Sequence, residues 1–211
     1  MRIVALSDTH GYHDEVDVPD GDILIFAGDM CGHSTIDSVE EFGYWMDTLP
    51  HEHKIYIAGN HDWPFVNQKE RAKNRVNAIY LEDGFTIING IKIYGSPWTP
   101  EFCGWAFMKL RGNDIKAKWD LIPEDTDILV THGPPMNFMD DVRGGHCGCR
   151  DLKDAVVRVK PQHAVFGHIH ESYGSDQCGV TQLHNVSICD GVYDPRNAPV
   201  VFDVSEKEVY R

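Results

Sequence analysis

"VFGHIHESYG" (residues 165–174) sets two imidazoles, His168 and His170, one residue apart where a short apolar run gives out. Alone, the stretch reads as a buried strand leaving into a polar turn, and histidines in a turn need no ligand. Its meaning comes from repetition. Runs rich in Ile, Val and Leu end in polar clusters at "RIVALSDTH" (2–10), "DILIFAGD" (22–29), "KIYIAGNHD" (54–62), "IKIYGSPW" (91–98), "DILVTHG" (127–133) and "HAVFGHIH" (163–170). Apolar runs of this length predict strands buried on both faces, as in a sheet covered by helices.

Helical periodicity fills some of the gaps. Ile36, Val39, Phe42, Trp45, Met46 and Leu49 fall on one face of a helix over 36–49, with Ser34 or Thr35 as its cap. Leu152, Val156 and Val159 do the same over 150–160, and a shorter, basic helix is expected over 68–76. In "GFTIINGIKIYG" (84–95) an Asn-Gly pair between apolar runs predicts a β-hairpin. With no repeat, low-complexity tract or linker, the expectation is one α/β domain over 1–211 with a partly antiparallel sheet.

Charge narrows the range of partners. The net charge is −14, of which −11 lies between Ile3 and Asp47, a span without Lys or Arg. Such a surface repels long duplex nucleic acid, whereas a small phosphorylated substrate is accommodated if bound cations reverse the field locally. No apolar run approaches a membrane span. The start "MRIVALSD" enters a strand directly, so a soluble, cytoplasmic protein is expected. The six cysteines form no framework and read as free thiols. In "GGHCGCR" (144–150), His146, Cys147 and Cys149 resemble a zinc fragment, but Cys-x-Cys is not the usual spacing and no second pair lies nearby.

The strand ends carry the chemistry. In helix-covered sheets, ligands collect at the loops leaving the carboxyl ends of the strands. Here those loops read Asp8-Thr9-His10, Gly28-Asp29, Gly59-Asn60-His61-Asp62, Thr131-His132-Gly133 and Gly167-His168-Ile169-His170. Each fragment alone is a turn. Together, apart from His61, they supply two carboxylates, one amide and four imidazoles. Oxygen and imidazole donors without thiolate suit Mn²⁺ first, then Fe or Zn²⁺, and Mg²⁺ less well. Seven donors exceed what one ion with an open position can use, so two divalent ions bridged by a carboxylate are expected, with Asp29 the natural bridge. Two carboxylates against two dications leave the site positive, which attracts phosphate.

The order Asp-x-His, Gly-Asp, Gly-Asn-His-Asp, His, Gly-His-x-His resembles the calcineurin-like metallophosphoesterases. The longer strings "IYGSPWTPEFCGWAF" and "IPEDTDILVTHGPP" are similar to a narrower group, the metallophosphoesterase-domain proteins of vertebrate brain and their microbial relatives. The resemblance implies a four-layer α/β/β/α sandwich with mixed sheets. It implies one ion on Asp8, His10, Asp29 and His170, a second on Asp29, Asn60, His132 and His168, and a catalytic His61 beside the substrate phosphate. Many members continue the second motif as Gly-Asp-x-x-Asp, the last Asp supporting that histidine. Here "GDMCG" puts Gly32 there, so the orientation of His61 must come from elsewhere.

The function expected is hydrolysis of a small phosphodiester, such as a cyclic nucleotide, by a metal-bridging hydroxide. Asn60 would help bind phosphoryl oxygens, and His61 would stabilise charge or protonate the leaving oxygen. Alternatives are a phosphomonoesterase, which shares the metals, and a non-catalytic scaffold of the same fold, which the complete donor set disfavours. Trp98 or Phe102 could stack on a base, but packing of Trp98, Phe102, Trp105 and Phe107 against the core is the favoured reading.

Overall fold

The apolar runs become the strands of two facing sheets. The structure, a computed structural model, describes residues 1–205; positions 206–211 of the expected 1–211 unit lie outside the described residues. In chain order the elements are β1 (Arg2–Leu6), β2 (Ile23–Ala27), α1 (Ile36–Thr48), β3 (His53–Ile57), α2 (Pro64–Asn67), α3 (Lys69–Lys73) and β4 (Ile79–Tyr80). There follow β5 (Gly84–Ile88), β6 (Ile91–Ser96), β7 (Thr99–Pro100), β8 (Met108–Lys109), α4 (Asn113–Trp119) and β9 (Ile128–Thr131). The rest are β10 (Asp141–Val142), β11 (Gly145–His146), α5 (Arg150–Val159), β12 (His163–Phe166), β13 (Gly174–Cys178), β14 (Thr181–Asn185) and β15 (Val200–Asp203).

The first sheet runs β15-β1-β2-β3-β4, parallel except for β15. The second runs β13-β14-β12-β9-β6-β5, with a parallel centre between antiparallel β13 and β5. Because side chains alternate across a strand, each buried strand feeds two cores. Ile3, Ile25 and Ile57 meet Ile93, Val130 and Val165 between the sheets. On the outer face of the first sheet, Phe26 and Tyr56 pack against Phe42, Trp45 and Met46 of α1. On the outer face of the second, Leu129, Phe166 and Leu183 pack against Trp119 of α4 and Leu152 and Val156 of α5. Three cores between four layers make the α/β/β/α sandwich with mixed sheets that the resemblance implied.

Local signals behave as expected, with one correction. The Oγ1 of Thr35 accepts from the amide of Ser38 at 3.2 Å and caps α1. Asn89 and Gly90, at φ +48° and +79°, make the hairpin turn between β5 and β6. The basic helix expected over 68–76 is present but shorter, as α3 over Lys69–Lys73, and is set off from the preceding α2 by Gln68, whose φ of −142° and ψ of 40° are not helical. Just past the end of α3, the Arg75 carbonyl lies against Gly43 of α1, where any Cβ would collide with it.

Candidate metal centre

Parallel strands point the same way, so the loops after β1, β2, β3, β9 and β12 gather at one rim. The loops after β1 and β2 run side by side. The amide of Asp8 donates to Gly28 O at 2.9 Å, that of His10 to Asp29 O at 3.1 Å, and that of Gly11 to Met30 O at 3.0 Å. Asp8, His10, Asp29 and His168 all occupy left-handed backbone, at φ +52°, +46°, +58° and +69°. Non-glycine residues adopt it at a cost of about 1–2 kcal/mol each, borne where neighbouring contacts over-determine the loop. Gly28, at φ +96°, could not carry a Cβ: it would lie 2.7 Å from His132 Nδ1 and 2.8 Å from Ala58 O.

These loops bring metal-ligating atoms together in three overlapping groups, each within 4.8 Å: Asp8, His10 and His170; His10, Asp29 and His61; and Asp29, His132 and His168. His132 Nε2 lies 2.8 Å from Asn60 Oδ1 and 3.3 Å from Asp29 Oδ2. His170 Nε2 lies 3.3 Å from Asp8 Oδ1 and 3.2 Å from His10 Nε2. All seven donors expected from the sequence therefore stand at this rim, with His168 and His170 in different groups. The strand ends at Phe166, and the left-handed turn at His168 sends the two rings apart.

Outer hydrogen bonds fix which atoms point inward. Backbone carbonyls only accept, so His132 Nδ1 donates to Ala27 O at 2.9 Å and His170 Nδ1 to Asp190 O at 3.2 Å. Each Nε2 is left facing its group, as metal-ligating imidazoles require. Asp8 is held by the hydroxyls of Ser7 and Ser187 and by the amide of His168.

The electrostatics ask for positive charge. Burial opposes ionisation of Asp8, but the hydrogen bond from His170 and the charge of His132 outweigh it and hold the carboxyl below the usual range. At Asp29, burial is likewise overcome, chiefly by His132. Burial would lower His132, yet the charge and hydrogen bond of Asp29 push it up to about 10; His170 is raised through Asp8 against the same penalty. His10 and His168 are instead lowered to about 4, with burial the largest cause. Without ions, the two carboxylates thus favour a proton on His132 and, in the same direction, on His170. Divalent ions would displace those protons and leave neutral imidazoles as ligands. The donor set fits such ions.

A family profile described as calcineurin-like phosphoesterase matches residues 1–172. The chain belongs to that family. It is a metal-dependent phosphoesterase by that membership and by the donor groups above. Human metallophosphoesterase domain-containing protein 1 is 41% identical over 230 residues, covering 96% of this chain and 71% of that protein. A UPF0046 protein of Caenorhabditis elegans is 36% identical over 228 residues, covering 97% of this chain and 81% of its own length. The crystal structure of TT1561 of Thermus thermophilus shares the fold, with a TM-score of 0.60 at 16% identity over 87% of this chain and 88% of that one.

In this calcineurin-like phosphoesterase, Asp62 does not support His61. Its buried carboxylate accepts from the amides of Asp29, Cys31 and Gly59 at 2.9, 3.1 and 2.8 Å, tying the second and third motif loops together. Nor is there room for the Asp that many members carry at position 32, because a Cβ there would meet His10 O at 2.7 Å. His61 is placed instead by its amide, which donates to Asp29 Oδ1 at 2.8 Å, and by ring contacts. Its imidazole meets His10 at 4.8 Å and Trp105 at 5.0 Å between centroids.

The site opens into a cavity of about 350 Å³. Trp98 does not reach it: its indole N–H donates to Asp83 and Lys118 lies over its ring at 4.4 Å. Phe107 is buried, as the packing reading expected, but Phe102 and Trp105 line the cavity, 61% and 37% exposed. Tyr193, unmarked in the sequence, lines it too and packs edge-on against His10 and His170. The zinc fragment does not assemble: Cys149 is buried and accepts from the Trp119 indole, Cys147 is exposed, and His146 bonds to Asp140. Among the described residues no helix is long and apolar enough to cross a membrane.

Proposed function

We propose that this chain is a dinuclear phosphodiesterase for small substrates, with cyclic nucleotides among them, built as a single metallophosphoesterase domain. Asp8, His10, Asp29 and His170 hold one ion, and Asp29, Asn60, His132 and His168 hold the other, with Mn²⁺, Fe or Zn²⁺ the fitting metals. One observation carries the diester reading: beyond the donor groups, the cavity wall carries three aromatic rings, Phe102, Trp105 and Tyr193, together with Glu101 and Glu171, and its lone arginine is already committed. Arg111 donates to Cys147 O and Gly148 O at 2.7 Å each. A monoester dianion would find no spare fixed cation there, whereas a diester carries one charge and a second organic substituent for Phe102, Trp105 and Tyr193 to cover.

When bound, the ions supply Lewis acidity and a water ionised near neutral pH. The chain supplies the rest. The amide of Asn60 donates to a phosphoryl oxygen, and His61, on the cavity wall, stabilises charge developing there or on the leaving oxygen. Six free thiols suit a reducing compartment, and we place the enzyme in the cytoplasm.

The test is a chelated sample reloaded with Mn²⁺, Fe²⁺ or Zn²⁺ and assayed on bis-p-nitrophenyl phosphate, p-nitrophenyl phosphate and cyclic nucleotides. Metal-dependent preference for the diesters is expected. A strong monoester preference would overturn the diester reading. Inactivity with every metal would favour a scaffold.

A further inference from the structure

The cavity that His61 lines holds a further imidazole, and this one does have a supporting carboxylate. His146, on β11, lines the cavity, and its side chain is 57% exposed. Its Nδ1 lies 2.8 Å from Asp140 Oδ1, and Asp140 is 1% exposed. The other oxygen of Asp140 accepts from the amides of Asn137 and Gly148, each at 3.0 Å, so the carboxylate cannot swing away. An ionised carboxylate only accepts, so Nδ1 carries the proton and Nε2 is the free atom. Nε2 has no hydrogen-bond partner among the described residues. The loop itself is anchored beside the metal ligands: Ser172 Oγ, in the turn that begins at His170, donates to Asp141 O at 2.9 Å, and Arg111 grips Cys147 and Gly148.

We propose that His146 is a catalytic residue of this phosphoesterase, the general acid that protonates the leaving alkoxide, with Asp140 as its positioning residue. The inference rests on the diesterase reading and divides the labour within it. His61, with no carboxylate behind it, is left to the phosphoryl oxygens. In the step, a hydroxide oxygen bonds to phosphorus as the bond from phosphorus to the ester oxygen breaks. The electron pair stays on the leaving oxygen, which takes the Nε2 proton of His146 in its doubly protonated form and leaves a neutral ring with its proton on Nδ1. Asp140 keeps hold of the Nδ1 proton throughout, as an orienting carboxylate does for a catalytic histidine. Solvent returns a proton to Nε2 and accepts the one lost in forming hydroxide. The aromatic wall of Phe102 and Trp105 and the His146 wall then face the two ester groups of one substrate.

General acids matter in proportion to how poor the leaving group is. Metal-loaded wild type and His146→Gln are therefore compared on a nitrophenyl diester, whose phenolate leaves unaided, and on a cyclic nucleotide, whose alkoxide does not. The expected loss is about 100-fold on the cyclic nucleotide and much smaller on the nitrophenyl ester, with unchanged metal content. Exogenous imidazole should restore part of the alkoxide rate to His146→Ala. In the metal-free protein, neutral His146 should show the ¹⁵N signature of the Nδ1–H tautomer, and Asp140→Asn should erase it. Equal losses on both esters, no loss on the cyclic nucleotide, or the opposite tautomer would overturn the inference. A wild type inactive on every diester would remove the function on which it rests, and the inference with it.

Discussion

Gly28→Ala is the most discriminating single change at this rim. The methyl group would meet three constraints at once. The backbone is at φ +96°, which costs an L residue about 1–2 kcal/mol. The new Cβ would sit 2.7 Å from His132 Nδ1 and 2.8 Å from Ala58 O, an overpacking worth about 1–3 kcal/mol. His132 cannot retreat: it is fully buried, pinned by Ala27 O at one nitrogen, with Asn60 Oδ1 2.8 Å from the other. A total near 3 kcal/mol should lower Tm by roughly 6–12 °C in a chain of this length. Tilting His132 should also weaken the ion assigned to Asp29, Asn60, His132 and His168 by about 10–100-fold and spare the other. Differential scanning calorimetry and metal analysis after dialysis read both effects. Gly179→Ala is the control. Its φ is +62° but nothing lies within 4 Å of the added Cβ, so only the backbone cost should appear. If Gly28→Ala keeps both ions at wild-type affinity and loses no more Tm than Gly179→Ala, the reasoning about His132 is wrong.

Four further outcomes are expected. His61→Ala should retain both ions and lose about 10²–10⁴ in kcat, with similar losses for good and poor leaving groups; loss of metal instead would make His61 a ligand. Trp105→Ala should raise KM for a cyclic nucleotide by about 5–150-fold, the worth of one base stacked on an aromatic ring, and leave bis-methyl phosphate hydrolysis nearly unaffected. Away from the site, His184 is held down to about 4 by burial and by the charge of His163, against 6.5 unfolded. Its folded value is the lower one, so this stability is fully present above pH 6.5 and is lost as pH falls toward 4, up to about 3 kcal/mol. Urea midpoints across that window should fall in the wild type and fall less in His184→Gln. Asp8→Asn should empty the site shared with His10 and His170 first, and metal analysis showing both ions retained would count against that grouping.

Much of the architecture was legible locally. Buried strands announce themselves as runs such as "DILIFAGD", α1 by the spacing of Val39, Phe42 and Met46 behind Thr35, and the hairpin by Asn89-Gly90. The donors could be read because topology gathers the ends of parallel strands at one rim, so residues far apart in sequence share a predictable address. What failed was whatever depends on a distant backbone. The helix over 68–76 is confined to Lys69–Lys73, and past its end the Arg75 carbonyl lies against Gly43 of another helix. Phe102 and Trp105 looked like packing because hydrophobicity does not reveal which side of a loop meets solvent.

The sequence by itself pointed to an α/β domain with a partly antiparallel sheet and to seven candidate donors, since periodicity, turn chemistry and ligand type are properties of short segments; the four-layer sandwich and the role of His61 came from the family resemblance. Only the tertiary structure decided that Asp62 serves three amides and not His61, that the crossing of Gly32 over His10 leaves no space for a carboxylate, and that Asp140 stands behind His146. Each of these turns on a contact of a few ångströms whose partner is set by how loops converge in three dimensions. The two histidines of "VFGHIHESYG" show the division: their chemistry is written locally, but their separation into different groups follows from a left-handed turn at His168, held by hydrogen bonds to Asp8, 160 residues earlier in the chain.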